Sequence, residues 1–177
     1  ALKYLQAAAG ISTRLSDRSL LAQCQNALAL VYSGLGEVEE AIAAYHVAIS
    51  LLPESAFLWI NLGRLLARNE RNEEAISAYR KALDACPNDF LAWDGLGQVC
   101  LKMGLVENSM DAFGNALQAA PFYSFSWAGL GQAHLQAGSL DQAVAALGKA
   151  VELDPSAIST WLDLASCFIQ LDQDDQA

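Results

Sequence analysis

The chain has 177 residues, ten basic and twenty acidic, with a formal net charge of −10 and 54% apolar residues. That is ample for a continuous core, and the abundance of Ala and Leu over runs of Val, Ile and Thr favours helix. The charge is uneven, with six basic and six acidic residues in 57–102 but one basic and nine acidic in 103–177. An acidic surface of this kind repels polyanions, so neither nucleic acid nor an anionic membrane is expected as a partner, and no apolar run is long enough to span a bilayer.

Residues 1–21 come first and fit no repeat well. Leu2, Leu5, Ala8, Ile11 and Leu15 keep a rough helical spacing that Gly10 interrupts. This stretch is expected to be a divergent capping helix or the end of a preceding repeat, and Ser16-Asp17 then offers an N-cap for the helix that follows. The chain begins at Ala1 rather than Met, which leaves a removed leader open.

From Ala22 onward a strict period takes over. All four prolines (Pro53, Pro87, Pro121, Pro155) and all four tryptophans (Trp59, Trp93, Trp127, Trp161) recur at steps of 34 residues. A period of this size marks a stack of like supersecondary units. The array over 22–177 divides into 22–55, 56–89, 90–123, 124–157 and a truncated repeat 158–177. The first unit lacks the Trp, having Gln25 in its place, but keeps Leu28, Ala29, Tyr32, Ala41, Tyr45 and Ala48. The next three carry Trp59, Leu62, Gly63, Ala75, Tyr79 and Ala82, then Trp93, Leu96, Gly97, Ser109, Phe113 and Ala116, then Trp127, Leu130, Gly131, Ala143, Leu147 and Ala150. The fifth begins with Trp161, Leu164 and Ala165, and Ala177 stands one period after Ala143, where a second helix would start.

Each unit reads as two helices. In the fourth, the first runs from about Tyr123 to Gln136, Gly138 makes the turn, and Ser139 caps a second helix from Leu140 to Leu153. Gly36 and Gly104 hold the same turn place, with Asn69-Glu70 and Leu171-Asp172 as polar substitutes. Proline then ends each unit. Recurrent Gly and Ala let helix backbones approach closely, while Trp and Leu fill the space beside them.

These residues resemble the tetratricopeptide repeat, whose 34-residue pattern places Trp, Leu, Gly, Tyr, Ala, Phe, Ala and Pro in this order. The resemblance covers about 22–177. Departures are mild: Ser109 replaces a packing Ala, Cys100 and His134 take the Tyr place, and Leu147 the Phe place. It implies an all-α fold, a right-handed α–α superhelix whose first helices line a concave groove that binds peptide segments of partner proteins. The carboxylate clamp of some members is unsupported, because Ile60, Leu91 and Gly95 stand where Lys, Lys and Arg are needed beside Asn61. The asparagine ladder of the sugar-transferase relatives is also missing, since Asn61 is followed by Gly95, Gly129 and Asp163.

The groove face follows from the helical angle. At about 100° per residue, Trp127, Leu130, Gly131 and His134 share one face, and Phe125, Ala128, Gly129, Gln132, Leu135 and Gln136 the opposite one. One period earlier that second face carries Leu91, Asp94, Gly95, Gln98, Leu101 and Lys102, and one earlier still Phe57, Ile60, Asn61, Arg64, Ala67 and Arg68. The peptide-binding residues expected from it are Phe57, Ile60, Asn61, Arg64, Arg68, Leu91, Asp94, Gln98, Leu101, Lys102, Phe125, Gln132, Leu135 and Gln136. Phe57, Leu91 and Phe125 form an apolar line at the groove edge, and Leu101, Leu135 and Ile169 a second. These residues either meet a ligand or pack between neighbouring first helices. Arg64 and Arg68 lie one turn apart and Lys102 is the periodic equivalent of Arg68, so a small basic patch is expected. Either it meets an acidic ligand, or it pairs locally, for instance Lys102 or Arg64 with Asp94.

Catalytic chemistry is not expected. Gly95-Leu96-Gly97 and Gly129-Leu130-Gly131 do not complete a phosphate-binding loop and read as packing glycines. His46 and His134 are 88 residues apart, no nucleophile grouping can be assembled, and no cofactor or metal is called for. Cys24, Cys86, Cys100 and Cys167 lack CxxC spacing and read as small buried hydrophobes in a reducing compartment, the cytoplasm. The reading is a non-enzymatic scaffold that binds a protein or peptide segment in its groove. The alternatives are a self-assembly module that homo-oligomerises through its ends, or the targeting arm of an enzyme whose catalytic domain lies elsewhere. Trp161, Leu164 and Phe168 share one face of the fifth first helix, which is expected to lie partly bare and to seek contacts.

Overall fold

The computed structural model describes residue 10 and residues 17–175. The expected capping helix over 1–21 falls mostly outside the described residues, as do Ser16 and Ala177. The described residues form helices α1 (Arg18–Leu35), α2 (Val38–Leu51), α3 (Ala56–Arg68), α4 (Asn72–Ala85), α5 (Phe90–Lys102), α6 (Val106–Ala119), α7 (Ser124–Gln136), α8 (Leu140–Leu153) and α9 (Ile158–Asp175), with no strand among them. The α1 helix thus starts four residues before the repeat boundary expected at Ala22. Two compact units are formed, one up to Pro87 and one from Asn88.

Within each unit, sequential helices pack as pairs: α1 with α2 and α3 with α4 in the first, α5 with α6 and α7 with α8 in the second. Each pair is closed by a tight turn with one left-handed residue. Gly36 (φ 80°), Gly104 (φ 74°) and Gly138 (φ 74°) fill that place, and Glu70 fills it at φ 61°. The residue after each returns its N–H to a carbonyl five positions back, as in Glu37 N to Tyr32 O at 3.0 Å and Ser139 N to His134 O at 2.9 Å. This bond satisfies a carbonyl that the helix end leaves open.

Two local expectations need correction. Ser139 stands at the N-cap of α8, but its side chain accepts no capping hydrogen bond. Side-chain caps stand on other helices: Asp17 Oδ1 accepts from Leu20 N at 2.9 Å at the start of α1, and Asp89 Oδ1 accepts from Leu91 N and Ala92 N at the start of α5. The turn expected at Leu171-Asp172 does not form, because α9 runs through both residues to Asp175. No glycine stands there to take the left-handed conformation cheaply, and continuing the helix keeps the backbone hydrogen-bonded.

The periodic residues build the core. Ala41, Ala75, Ser109 and Ala143 are all fully buried, and so are Ala48, Ala82, Ala116 and Ala150 within 1%. The large residue between them docks on a glycine of its own repeat. A Cβ at Gly63 would stand 3.0 Å from the Tyr79 ring, and one at Gly97 would stand 2.8 Å from Phe113. Phe113 also presses on Gly129 of the following repeat, where a Cβ would overlap the ring. The prolines and tryptophans are linked as well. Indole Nε1–H groups of Trp59, Trp127 and Trp161 donate to the carbonyls of Pro53, Pro121 and Pro155 at 3.1, 2.9 and 3.0 Å. Each bond ties the end of one repeat to the first helix of the next. Cysteines 24, 100 and 167 are buried as expected, but Cys86 is exposed because it lies beyond the last turn of α4.

Alanine at Gly129 should therefore destabilise the protein by about 1–3 kcal/mol through overpacking, although propensity alone favours Ala over Gly in a helix by about 1 kcal/mol. In a Phe113→Leu background the penalty of Gly129→Ala should shrink. Urea unfolding of the four variants measures both, and a higher midpoint for Gly129→Ala alone would disprove the slot. Trp127→Phe, which keeps one aromatic ring but loses the rest of the indole and its bond to Pro121, should cost about 1 kcal/mol or more in the same assay.

Candidate functional site

In the first unit the candidate face lies on α3. Phe57 is 59% exposed at its start, and Arg64 and Arg68 are exposed further along. Ile60 and Asn61 are buried, at 4% and 7%. Asn61 Nδ2 donates to Asn26 Oδ1 at 3.2 Å, joining α3 to α1, and Asn61 Oδ1 accepts from Arg64 Nη2 at 3.1 Å. Asn61 therefore positions the guanidinium rather than offering itself to a ligand, and Ile60 is core. Burial pushes the Tyr45 phenol up, partly offset by the nearby charge of Arg64. Arg71 is committed elsewhere, paired with Glu39 at 2.9 Å and Glu74 at 2.6 Å.

In the second unit α5, α7 and the start of α9 enclose a concavity of about 460 Å³. Gln98, Leu101 and Lys102 form its α5 wall, and Phe125, Ala128 and Gln132 its α7 wall; Thr160 and Ser159 contribute from α9. Phe113 and Gly129 lie at its base, so the ring slotted between the glycines of α5 and α7 also sets the floor of the groove. Five of the expected residues (Gln98, Leu101, Lys102, Phe125 and Gln132) are thus brought together. Gln98, Lys102 and Gln132 are exposed, Leu101 is half-buried and Phe125 is 61% exposed. Leu91 is 40% exposed on α5 and Gln136 is exposed at the end of α7. Phe125 is backed by Tyr123, with ring centroids 5.4 Å apart, and Tyr123 by Phe90 at 5.0 Å. Sequence reasoning missed this aromatic buttress, although Phe90 and Tyr123 flank the groove-edge positions.

Two expected residues lie elsewhere. Leu135 packs against the core of Ala143, Leu147, Val151, Leu164 and Cys167, so for it packing between first helices holds rather than ligand contact. Asp94 is 4% exposed. Its Oδ1 accepts from Ser126 Oγ of α7 at 2.7 Å, and its Oδ2 from Gln98 Nε2 at 2.6 Å. Both carboxylate oxygens are thereby engaged by neutral donors. Burial raises the Asp94 pKa above the ordinary carboxylate value, more than these two bonds lower it. A further bond of this kind, Gln132 Nε2 to Asp163 Oδ2 at 2.7 Å, joins α7 to α9. His134 is half-buried, and desolvation lowers its pKa, which keeps the imidazole neutral near pH 7. Among the described residues no three His, Cys, Asp or Glu side chains converge on a metal position, and no helix is long and apolar enough to cross a membrane.

Paired helices, a glycine slot beneath each of Tyr79, Phe113 and Leu147, and a concavity walled by first helices define a helical-repeat protein. The chain belongs to the tetratricopeptide repeat family, whose models match residues 26–90 and 134–177. Domains of this family mediate protein–protein interactions. Its fold is similar to that of MamA from Desulfovibrio magneticus RS-1, at 24% identity and TM-score 0.78 over 88% of this chain and 86% of that one. PilF of Pseudomonas aeruginosa is similar at 22% identity and TM-score 0.80, over 88% of this chain and 71% of that one. YrrB, described as a tetratricopeptide repeat protein with an unusual peptide-binding site, is similar at 20% identity and TM-score 0.74, over 93% and 84%. No curated protein sequence gives a match.

The buried carboxyl has a pH signature. A raised folded-state pKa means that the folded protein holds the Asp94 proton to higher pH than the unfolded chain. The stabilisation is full below the unfolded value, near 3.9, and is lost as pH rises through the folded pKa. Asp94→Asn should therefore differ little from wild type near pH 3 and become the more stable of the two as pH approaches neutrality. Urea midpoints over that range measure it, and an Asn variant less stable at neutral pH would contradict the assignment.

Proposed function

We propose that the chain is a non-enzymatic scaffold that holds a peptide segment of a partner protein in the groove walled by α5 and α7. The observation that carries this reading is the convergence of Lys102, Gln98 and Gln132 with Phe125, Leu101 and Ala128 around one concavity. Amide and ammonium donors on the rim suit a segment with an acidic side chain or exposed backbone carbonyls. The apolar wall suits a bulky aliphatic or aromatic side chain beside it. Apolar anchors supply most of the affinity in such sites, while charged pairs fix register and specificity. The first unit offers the same chemistry on α3 through Phe57, Arg64 and Arg68. The acidic surface of residues 103–177 disfavours polyanions and favours ligands whose negative charge is confined to the rim contact. Buried thiols acting as core hydrophobes support a reducing compartment such as the cytoplasm.

The test is selection of peptides from a random library on the intact chain, followed by calorimetry. Selected peptides should combine an acidic residue with a bulky apolar one. Phe125→Ala should weaken the best peptide by about tenfold or more, and Lys102→Ala should weaken it less while flattening its salt dependence. Peptides that bind both variants as tightly as wild type would place recognition outside this groove.

A further inference from the structure

One polar contact between first helices is complete in one repeat of the second unit and incomplete in the next. Between α5 and α7, Asp94 Oδ1 accepts from Ser126 Oγ at 2.7 Å, and Asp94 Oδ2 accepts from Gln98 Nε2 at 2.6 Å. One period later both donors are kept and the carboxylate is not. Thr160 stands in the place of Ser126, Gln132 in that of Gln98, and Ala128 in that of Asp94. Thr160 is only 5% exposed, and its hydroxyl makes no hydrogen bond among the described residues. Gln132 Nε2 donates to Asp163 Oδ2 at 2.7 Å, which uses one of its two hydrogens.

Ala128, Gln132 and Thr160 all line the concavity of the second unit, with Gln98 and Lys102 on its α5 wall. That concavity is formed by α5 to α8 and the first turn of α9 alone. A hydroxyl buried this far costs free energy when it has nothing to bond to, so the site is unfinished without an acceptor. The acceptor that finishes the same set one repeat earlier is a carboxylate. The local charge permits one. Lys102 and Asp154 are the charged residues of the lining, one of each sign, although the surface of residues 103–177 is acidic. Asp154 Oδ1 is already engaged by Ser156 N at 3.0 Å and Ser156 Oγ at 2.6 Å.

We propose that this place is a subsite for an acidic side chain of the bound peptide, which supplies to Thr160 and Gln132 the carboxylate that Asp94 supplies to Ser126 and Gln98. The proposal rests on the reading of the concavity as a peptide site. A peptide aspartate that enters over Ala128 accepts from Thr160 Oγ1 on one oxygen and from the second Nε2 hydrogen of Gln132 on the other. Lys102 offsets its charge from the α5 wall. Ala128 determines the specificity, because a methyl group leaves the carboxylate its room where Asp94 fills the equivalent space.

Nuclear magnetic resonance titration of the intact chain with N-acetyl-aspartate N-methylamide tests it. The asparagine analogue and N-acetyl-alanine, a chain-end carboxylate, are the comparisons. The aspartyl probe should shift the Gln132 side-chain amide and the Thr160 backbone amide saturably, and should bind about tenfold or more tighter than either comparison. Thr160→Val, which keeps the shape but not the hydroxyl, should weaken it by about tenfold. Ala128→Asp, which installs the missing acceptor, should abolish it, and should lower the urea midpoint less with Thr160 present than in a Thr160→Val background. If Ala128→Asp does not fold, the Thr160→Val titration decides. No saturable shift, equal affinity for the aspartyl and asparaginyl probes, tighter binding of N-acetyl-alanine, or an unchanged Thr160→Val titration each overturns the subsite. A library peptide still weakened by Phe125→Ala would then keep the groove reading, and one that ignores Phe125→Ala as well would discard both.

Discussion

Phe113 is held between two helix backbones, that of its own repeat at Gly97 and that of the next at Gly129. The position of α5 and α7 over α6, and with it the floor of the groove, depends on this slot. A fully buried aromatic ring can be shared in this way only where neither helix carries a Cβ at the contact. The following repeat meets the same constraint differently. Leu147 is smaller, Gly131 admits it on one side, and Asp163 stands in place of the second glycine. The size of the inserted side chain and the number of glycines around it vary together, as close packing requires.

Polar side chains make a second kind of link between consecutive first helices. Asn61 with Asn26, Asp94 with Ser126, and Gln132 with Asp163 each join a first helix to the next one along. Only the Asp94–Ser126 bond is buried; such a bond contributes little net stability, but a mispaired one costs more, so this pair selects one register over its neighbours. Asp94 is the expensive case, a carboxyl out of water with two neutral donors on its oxygens.

Much of this was legible in the sequence. Period, helix pairs, glycine turns and family follow from residues that recur every 34 positions, because each reports one local packing requirement. What was not legible depends on more than one repeat at a time. The helical angle placed Ile60, Asn61, Asp94 and Leu135 on the open face, yet within the second unit a first helix such as α7 is covered by α6, by α8 and by the neighbouring first helices α5 and α9. Its buried arc is therefore wider than half the circumference. The Pro–Trp register was read as punctuation plus space-filling. The structure shows it also to be a hydrogen bond across the junctions at Pro53, Pro121 and Pro155, which spacing alone does not reveal. The turn at Leu171-Asp172 failed because polarity substitutes for glycine only when packing on both sides holds the chain in the turn.

That last point bears on Glu70. Three turns place glycine in the left-handed region, where it rests without penalty, but the α3–α4 turn holds Glu70 there at φ 61°. A residue with a Cβ pays roughly 1–2 kcal/mol for that conformation. In a stack held together by neighbour contacts, such strain is not spread over the molecule but stays where it arises. The hairpin of α3 and α4 thus carries a local backbone strain that the three glycine-turned hairpins lack.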